Sequence, residues 1–142
     1  MFLQIQLFWQ LLLAAVLGGA IGLEREYKGR EAGLKTFSLV SFGACLFTLV
    51  ANYLASSSQA DPARVVQAVA IGIGFIGSGV IIYRKAQVEG LTTAAGLWAV
   101  AAIGVGVGVK LYFLTILGTL LIIGILEAFR LIEEKFFSKS PK

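Results

Sequence analysis

The chain has 142 residues, 58% of them hydrophobic and 14% charged, with a formal net charge of +4 and a mean hydropathy of +0.87. Soluble domains average about 45–50% apolar and about 25% charged residues, so the composition excludes an ordinary soluble domain and points to a membrane chain. With no His and one Cys, it also excludes an intrachain disulfide, a zinc or haem site and a Ser-His or Cys-His nucleophile. No enzymatic activity and no resident cofactor are expected.

The charges are gathered into clusters, leaving five stretches of the length that crosses a hydrocarbon core, about 20 apolar residues. These spans cover about residues 5–23, 37–55, 65–83, 91–109 and 111–129. The first contributes Ala14, Gly18 and Gly22 at helical spacing, a surface on which a second backbone can lie close. A cleaved signal peptide would need a basic region before its apolar core, and no Lys or Arg precedes position 25, so this segment is expected to stay in the membrane.

"GLEREYKGREAGLKT", residues 22–36, follows. Glu24 with Lys28 and Glu26 with Arg30 are i,i+4 pairs with the acid first, the better order on a helix. One reading is a solvated loop that fixes topology. The other has Glu24 and Glu26 offering hard oxygens to a cation, or holding Arg25 against a neighbouring helix end. In the second span Cys45 reads as a small buried hydrophobe. "DPAR" then opens the third span: Asp61 is a natural N-cap, Pro62 suits the first helical position, and Arg64 follows. Asn52 and Gln67 are expected to extend a polar cluster around Asp61.

"AIGIGFIGSGVII", residues 70–82, contains G-x-G-x-x-G, a dinucleotide-binding spacing. That motif needs a strand before it in a soluble sheet, whereas these glycines lie inside a membrane span. They read as packing surfaces, with Ala70, Gly74, Gly77 and Ser78 on one side and Ala68, Gly72 and Gly79 on the other. "VEGLTTAAGLW" places Thr92 and Thr93 at the start of the fourth span, to cap it, to bond across helices or to join a cation shell. That span carries two small-residue ridges, Ala95, Ala99, Ala102 and Gly106 on one side and Ala94, Ala101, Gly104 and Gly108 on the other. The fifth is mostly Leu and Ile and suits a helix facing lipid. From these patterns spans one, three and four are expected to form the compact core, with span five peripheral. Residues 131–142 form a short tail, expected to be an amphipathic helix at the inner interface, with Leu126, Phe129, Ile132 and Phe136 on one stripe.

Counting Lys and Arg across five spans puts ten on one face and two, Arg64 and Lys110, on the other. The positive-inside rule makes the richer face cytoplasmic, with the N-terminus outside and the C-terminus cytoplasmic. The expected fold is thus an all-α membrane protein, a compact bundle of five transmembrane helices formed by residues 1–130. Its expected partners are the lipid bilayer and either further copies of the chain or another membrane protein. There is no basic helix or aromatic platform for nucleic acid, and no dinucleotide is expected.

"GGAIGLERE", "AGLKTFSLVSFGACLFT", "DPARVVQAVAIGIGFIGSGVI" and "VEGLTTAAGLWAVAAIG", in this order, resemble the MgtC/SapB family of bacterial inner-membrane proteins. The family pattern attaches to Gly22, Glu24, Arg25 and Glu26, to Ala32, Gly33 and Thr36, to Asp61 and Arg64, to Gly72, Gly74, Gly77 and Gly79, and to Gly90, Leu91, Thr92, Thr93 and Trp98. Lys35 stands where the family usually has Arg, and Ser78 where it usually has Ala. Many relatives carry a cytoplasmic ACT-type domain after the last span, a segment this sequence does not contain. The resemblance implies magnesium transport or homeostasis, with Mg²⁺ as a transported or sensed ion. Its runner-up implication is a non-transporting regulator packed against another membrane complex such as the proton-translocating ATP synthase. Mg²⁺ usually takes one or two carboxylates plus retained waters, and no span has an acidic residue near its middle. Glu24 and Glu26 at the inner face and Asp61 at the outer are the best metal candidates; a path between them would need backbone carbonyls freed around Gly72 to Gly79.

Overall fold

A computed structural model describes residues 2–57, 61–84 and 86–136. Five helices follow one another: α1 (Phe2–Tyr27), α2 (Leu34–Ser57), α3 (Ala63–Gly79), α4 (Leu91–Gly108) and α5 (Tyr112–Phe136). Between α3 and α4 lies a two-stranded hairpin, β1 (Ile82–Arg84) and β2 (Gln87–Glu89), antiparallel with Tyr83 opposite Val88. Four helices are long and apolar enough to cross a membrane: α1, α2, α4 and α5. α3, with 17 residues, spans about 26 Å at 1.5 Å per residue, short of a core of about 30 Å.

The third span was expected to run to Tyr83; it stops at Gly79. The Val80 and Ile81 amides turn back to the Gly77 and Ser78 carbonyls, tightening the last turn. The β-branched and aromatic run from Val80 to Tyr83 then suits an extended chain better than a helix. Ala86, at φ 64, makes the turn of the hairpin.

The core differs from the one expected. α1, α2 and α4 pack together, and α2 takes the place assigned to α3. The reason is the close approach of backbones at two levels. A Cβ on Gly104 of α4 would run into the Ser41 carbonyl oxygen of α2, and a Cβ on Gly18 of α1 would stand 2.6 Å from both the Phe37 carbonyl oxygen and the Ser41 Cβ. Small residues on both partners permit this: Ser41, Ala44, Cys45 and Thr48 of α2 are all buried. Ile21, Phe37, Leu97 and Val100 fill the space around the crossing. α5 adds Thr115 and Thr119 to the α4 surface, and most of its remaining side chains face outward.

α3 lies at the edge, with only Ile73 and Gly77 buried. Gly77 packs on Ala94 of α4, the added Cβ position lying 3.6 Å from the Ala94 Cβ. Gly72, Gly74 and Gly79, read as packing positions, meet nothing within 4 Å, and Phe75 beside them is 84% exposed. They leave two opposite sides of α3, one at Gly72 and Gly79 and one at Gly74, without a close packing contact in this chain.

The antiparallel order of α1 and α2 and of α4 and α5 brings the ends of the helices into two groups. Among the described residues, Arg25, Lys28, Arg30, Lys35, Arg84, Arg130 and Lys135 gather at one end, and Arg64 and Lys110 at the other. Of the expected tail, residues 131–136 continue α5 without a break, with Leu131, Ile132 and Phe136 exposed. Lys85, residues 58–60 and residues 137–142 lie outside the described residues.

Candidate functional site

The polar side chains of the basic end come from the last turns of α1 and α5 and the first turn of α4. Arg25 points inward from α1 and is buried; its Nη2 donates to the Thr93 hydroxyl of α4 at 3.4 Å. Its Nη1 lies 3.8 Å from Oε2 of Glu24, and both side chains are at least nine-tenths buried. Neither Arg25 Nε nor Glu24 Oε2 has a hydrogen-bond partner among the described residues. Thr92, beside Thr93, is exposed and lines the same cleft as Glu24 and Arg25. Leaving such groups unmatched is costly in a low-dielectric setting.

Glu26, one step round the helix, has a different task. Its Oε2 accepts from the Leu34 amide at 2.8 Å, so the carboxylate satisfies the first donor of α2 and meets the positive end of its dipole. Gly33 makes the room: a Cβ there would stand 2.6 Å from Glu26 Oε2. Neither expected pair, Glu26 with Arg30 or Glu24 with Lys28, forms: Glu26 holds the Leu34 amide, Glu24 faces Arg25, and Lys28 finds its partner on α5. Lys28 Nζ reaches Glu127 Oε1 of α5 at 3.1 Å, and Glu127 Oε2 accepts from Arg130 at 3.0 Å. Arg130 in turn donates to Glu134 at 2.7 Å. These ions tie α1 to the end of α5.

At the opposite end Asp61 Oδ1 accepts from the Ala63 amide, the first of α3, at 2.9 Å, with Pro62 in the N-cap position between them. Asp61 and Arg64 are both exposed, and they stand at the other end of the bundle from Glu24, Glu26 and the threonines. The expected cluster of Asn52 and Gln67 around Asp61 does not form. Asn52 instead donates to the Gly108 carbonyl at 3.4 Å, and Gln67 is exposed. The sequence reading missed Gln10, a buried amide whose Nε2 donates to the Val107 carbonyl at 2.9 Å. Together Gln10 and Asn52 close the C-terminal end of α4. The signal was present, since Gln10 is a polar residue in an otherwise apolar run, and such residues in a span usually face the bundle. Of the packing glycines, Gly18, Gly22 and Gly104 lie against α2. No group of three or more His, Cys, Asp or Glu side chains that would hold a metal occurs among the described residues.

The model of the MgtC family matches residues 11–135. The chain belongs to the MgtC family. Its relatives include "Putative magnesium transporter YhiD" of Escherichia coli K12, 39% identical over 137 residues, which cover 92% of this chain and 64% of YhiD. "Protein SrpB" of Synechococcus elongatus is 38% identical over 89% of this chain and 76% of SrpB. "Protein MgtC" of Brucella abortus is 41% identical over 79% of this chain and 46% of that protein. This MgtC-family chain therefore spans just under two thirds of YhiD and about half of the Brucella protein. No solved structure matches it. The buried Glu24, Arg25 and Thr93 and the α1/α2/α4 crossing at Ser41 all fall inside the matched region.

Proposed function

We propose that this chain handles Mg²⁺ in a bacterial inner membrane, in transport or homeostasis, with its basic end cytoplasmic. The observation that carries the reading is Glu24. It is a nine-tenths-buried carboxylate whose Oε2 faces Arg25 at 3.8 Å but accepts no hydrogen bond among the described residues, on the α1 core in the cleft that Thr92 and the Arg25–Thr93 pair also line. A hard cation with most of its waters kept needs one or two such oxygens. Glu26 and Asp61, the other candidates, already serve as helix caps, so the charge-dependent role falls to Glu24. The names of YhiD and its relatives support the choice of ion.

Growth at limiting Mg²⁺ tests it. Glu24→Gln keeps the size of the side chain and removes its charge; growth should fail at wild-type protein levels. Full growth would reject a cation role for Glu24.

A second reading, a regulator that packs against another membrane protein, is favoured by α3. Its side at Gly74, open in this chain, suits close helix contact, while the middle of the α1/α2/α4 crossing is filled by Phe37, Ser41 and backbone. Gly74→Leu separates the two. On this reading it abolishes growth at limiting Mg²⁺ without lowering the melting temperature, and Glu24→Gln grows normally.

A further inference from the structure

The cleft that Glu24 and Arg25 share with α5 is larger than one cation requires. It is an open cleft of about 220 Å³, room for several waters. Cations also outnumber carboxylates in its lining. Arg25, Lys28, Arg30 and Arg130 line it, against Glu24 and Glu133. Glu127 and Glu134 hold Lys28 and Arg130 from the side and Glu24 faces Arg25, so Arg30 is the lining cation that forms no ion pair among the described residues.

We infer that this cleft binds a phosphate-bearing anion, free or carried on a lipid headgroup. Three features converge on that chemistry. Arg25 is nine-tenths buried and lines the cleft, its guanidinium held in place by Thr93 and Glu24. Arg30 forms no ion pair among the described residues and is exposed on the same cleft, so its fork is free to take two phosphate oxygens. Thr92 adds an exposed hydroxyl on the facing helix. The wall opposite is apolar, with Phe129 58% exposed, so that a headgroup seated among the arginines leaves its acyl chains along the outer face of α5. Glu24 is compatible with such a ligand because Arg25 lies beside it.

The experiment uses the purified full chain in detergent, with EDTA present so that Mg²⁺ plays no part and the outcome is separate from the reading of Glu24 above. Native mass spectrometry with added phosphatidylglycerol against phosphatidylcholine tests the lipid source. Thermal melting in inorganic phosphate against chloride at equal ionic strength tests the free anion. Wild type should retain phosphatidylglycerol selectively, or melt higher in phosphate. Arg30→Gln should weaken that effect about tenfold, the weight of one charge-assisted hydrogen bond. Lys35→Gln removes the same charge at the same end but outside the cleft, and should leave it intact. Selective lipid retention assigns a headgroup, and a phosphate-dependent melting shift assigns a free anion. If neither ligand binds, or if Arg30→Gln and Lys35→Gln weaken binding equally, the inference is overturned.

Discussion

Replacing Gly104 by Ala tests the architecture at the point where the core is tightest. The new Cβ would meet the Ser41 carbonyl oxygen and lie 2.9 Å from the Ser41 carbonyl carbon and 3.0 Å from the Ala44 Cβ. Two of these three atoms are backbone of α2, so no rotamer change relieves the overlap; α2 must move as a unit. That motion also disturbs the α1 contact, because Gly18 rests on the same Ser41. Overpacking of this kind costs about 1–3 kcal/mol, against about 0.8–1.0 kcal/mol gained when Ala replaces Gly in a helix. The net effect is a loss of up to about 2 kcal/mol. Gly74→Ala isolates the gain, since nothing lies within 4 Å of that position; it should be stabilising by up to about 1 kcal/mol. Melting followed by circular dichroism in one detergent should therefore move in opposite directions for the two variants. A Gly104→Ala protein that melts at or above wild type would refute the α2–α4 crossing described here.

The cap at Asp61 predicts that Asp61→Asn melts like wild type and that Asp61→Ala loses about 1 kcal/mol; equal losses in growth at limiting Mg²⁺ for both variants would instead assign Asp61 a charge-dependent role. For Glu26, truncation to Ala should cost about 1 kcal/mol through the exposed end of α2, read as a lowered melting temperature, and a neutral Glu26→Ala would show that Leu34 finds another acceptor. A double-mutant cycle on Lys28 and Glu127 should return a coupling of about 0.2–1 kcal/mol that fades with salt, as expected of a partly exposed pair; zero coupling at low salt would remove the tie between α1 and α5. A reporter fused after Lys142 should be cytoplasmic, and an external one would reject the proposed orientation.

The number of helices and the identity of the family were legible because both rest on signals the sequence writes directly: apolar length, charge clusters and quoted motifs. The Asp61 cap was legible for the same reason, a local rule acting over two residues. The choice of core was not. Glycine content singled out the third span, yet what decides packing is whether a small residue meets a partner. α2 supplies that partner through Ser41, Ala44, Cys45 and Thr48, small residues at helical spacing, while its own Gly43 meets nothing within 4 Å. Ion pairs failed likewise, since i,i+4 spacing suggested Glu24 with Lys28 and Glu26 with Arg30. The competitors, Glu127 and the free amide of Leu34, come close only once α5 and α2 are folded against α1. In the same way Gln10 finds its acceptor 97 residues away, beyond any local pattern.

The central claim, that Mg²⁺ is handled at the Glu24 end of the α1/α2/α4 core, is tested most directly by flux. Purified protein is reconstituted into liposomes enclosing a Mg²⁺-sensitive dye, and wild type is compared with Glu24→Gln at equal protein content. The account predicts Mg²⁺ entry that depends on the protein and is lost with the amide; wild-type flux that persists in Glu24→Gln, or no flux alongside stable co-purification of a partner membrane protein, would contradict it.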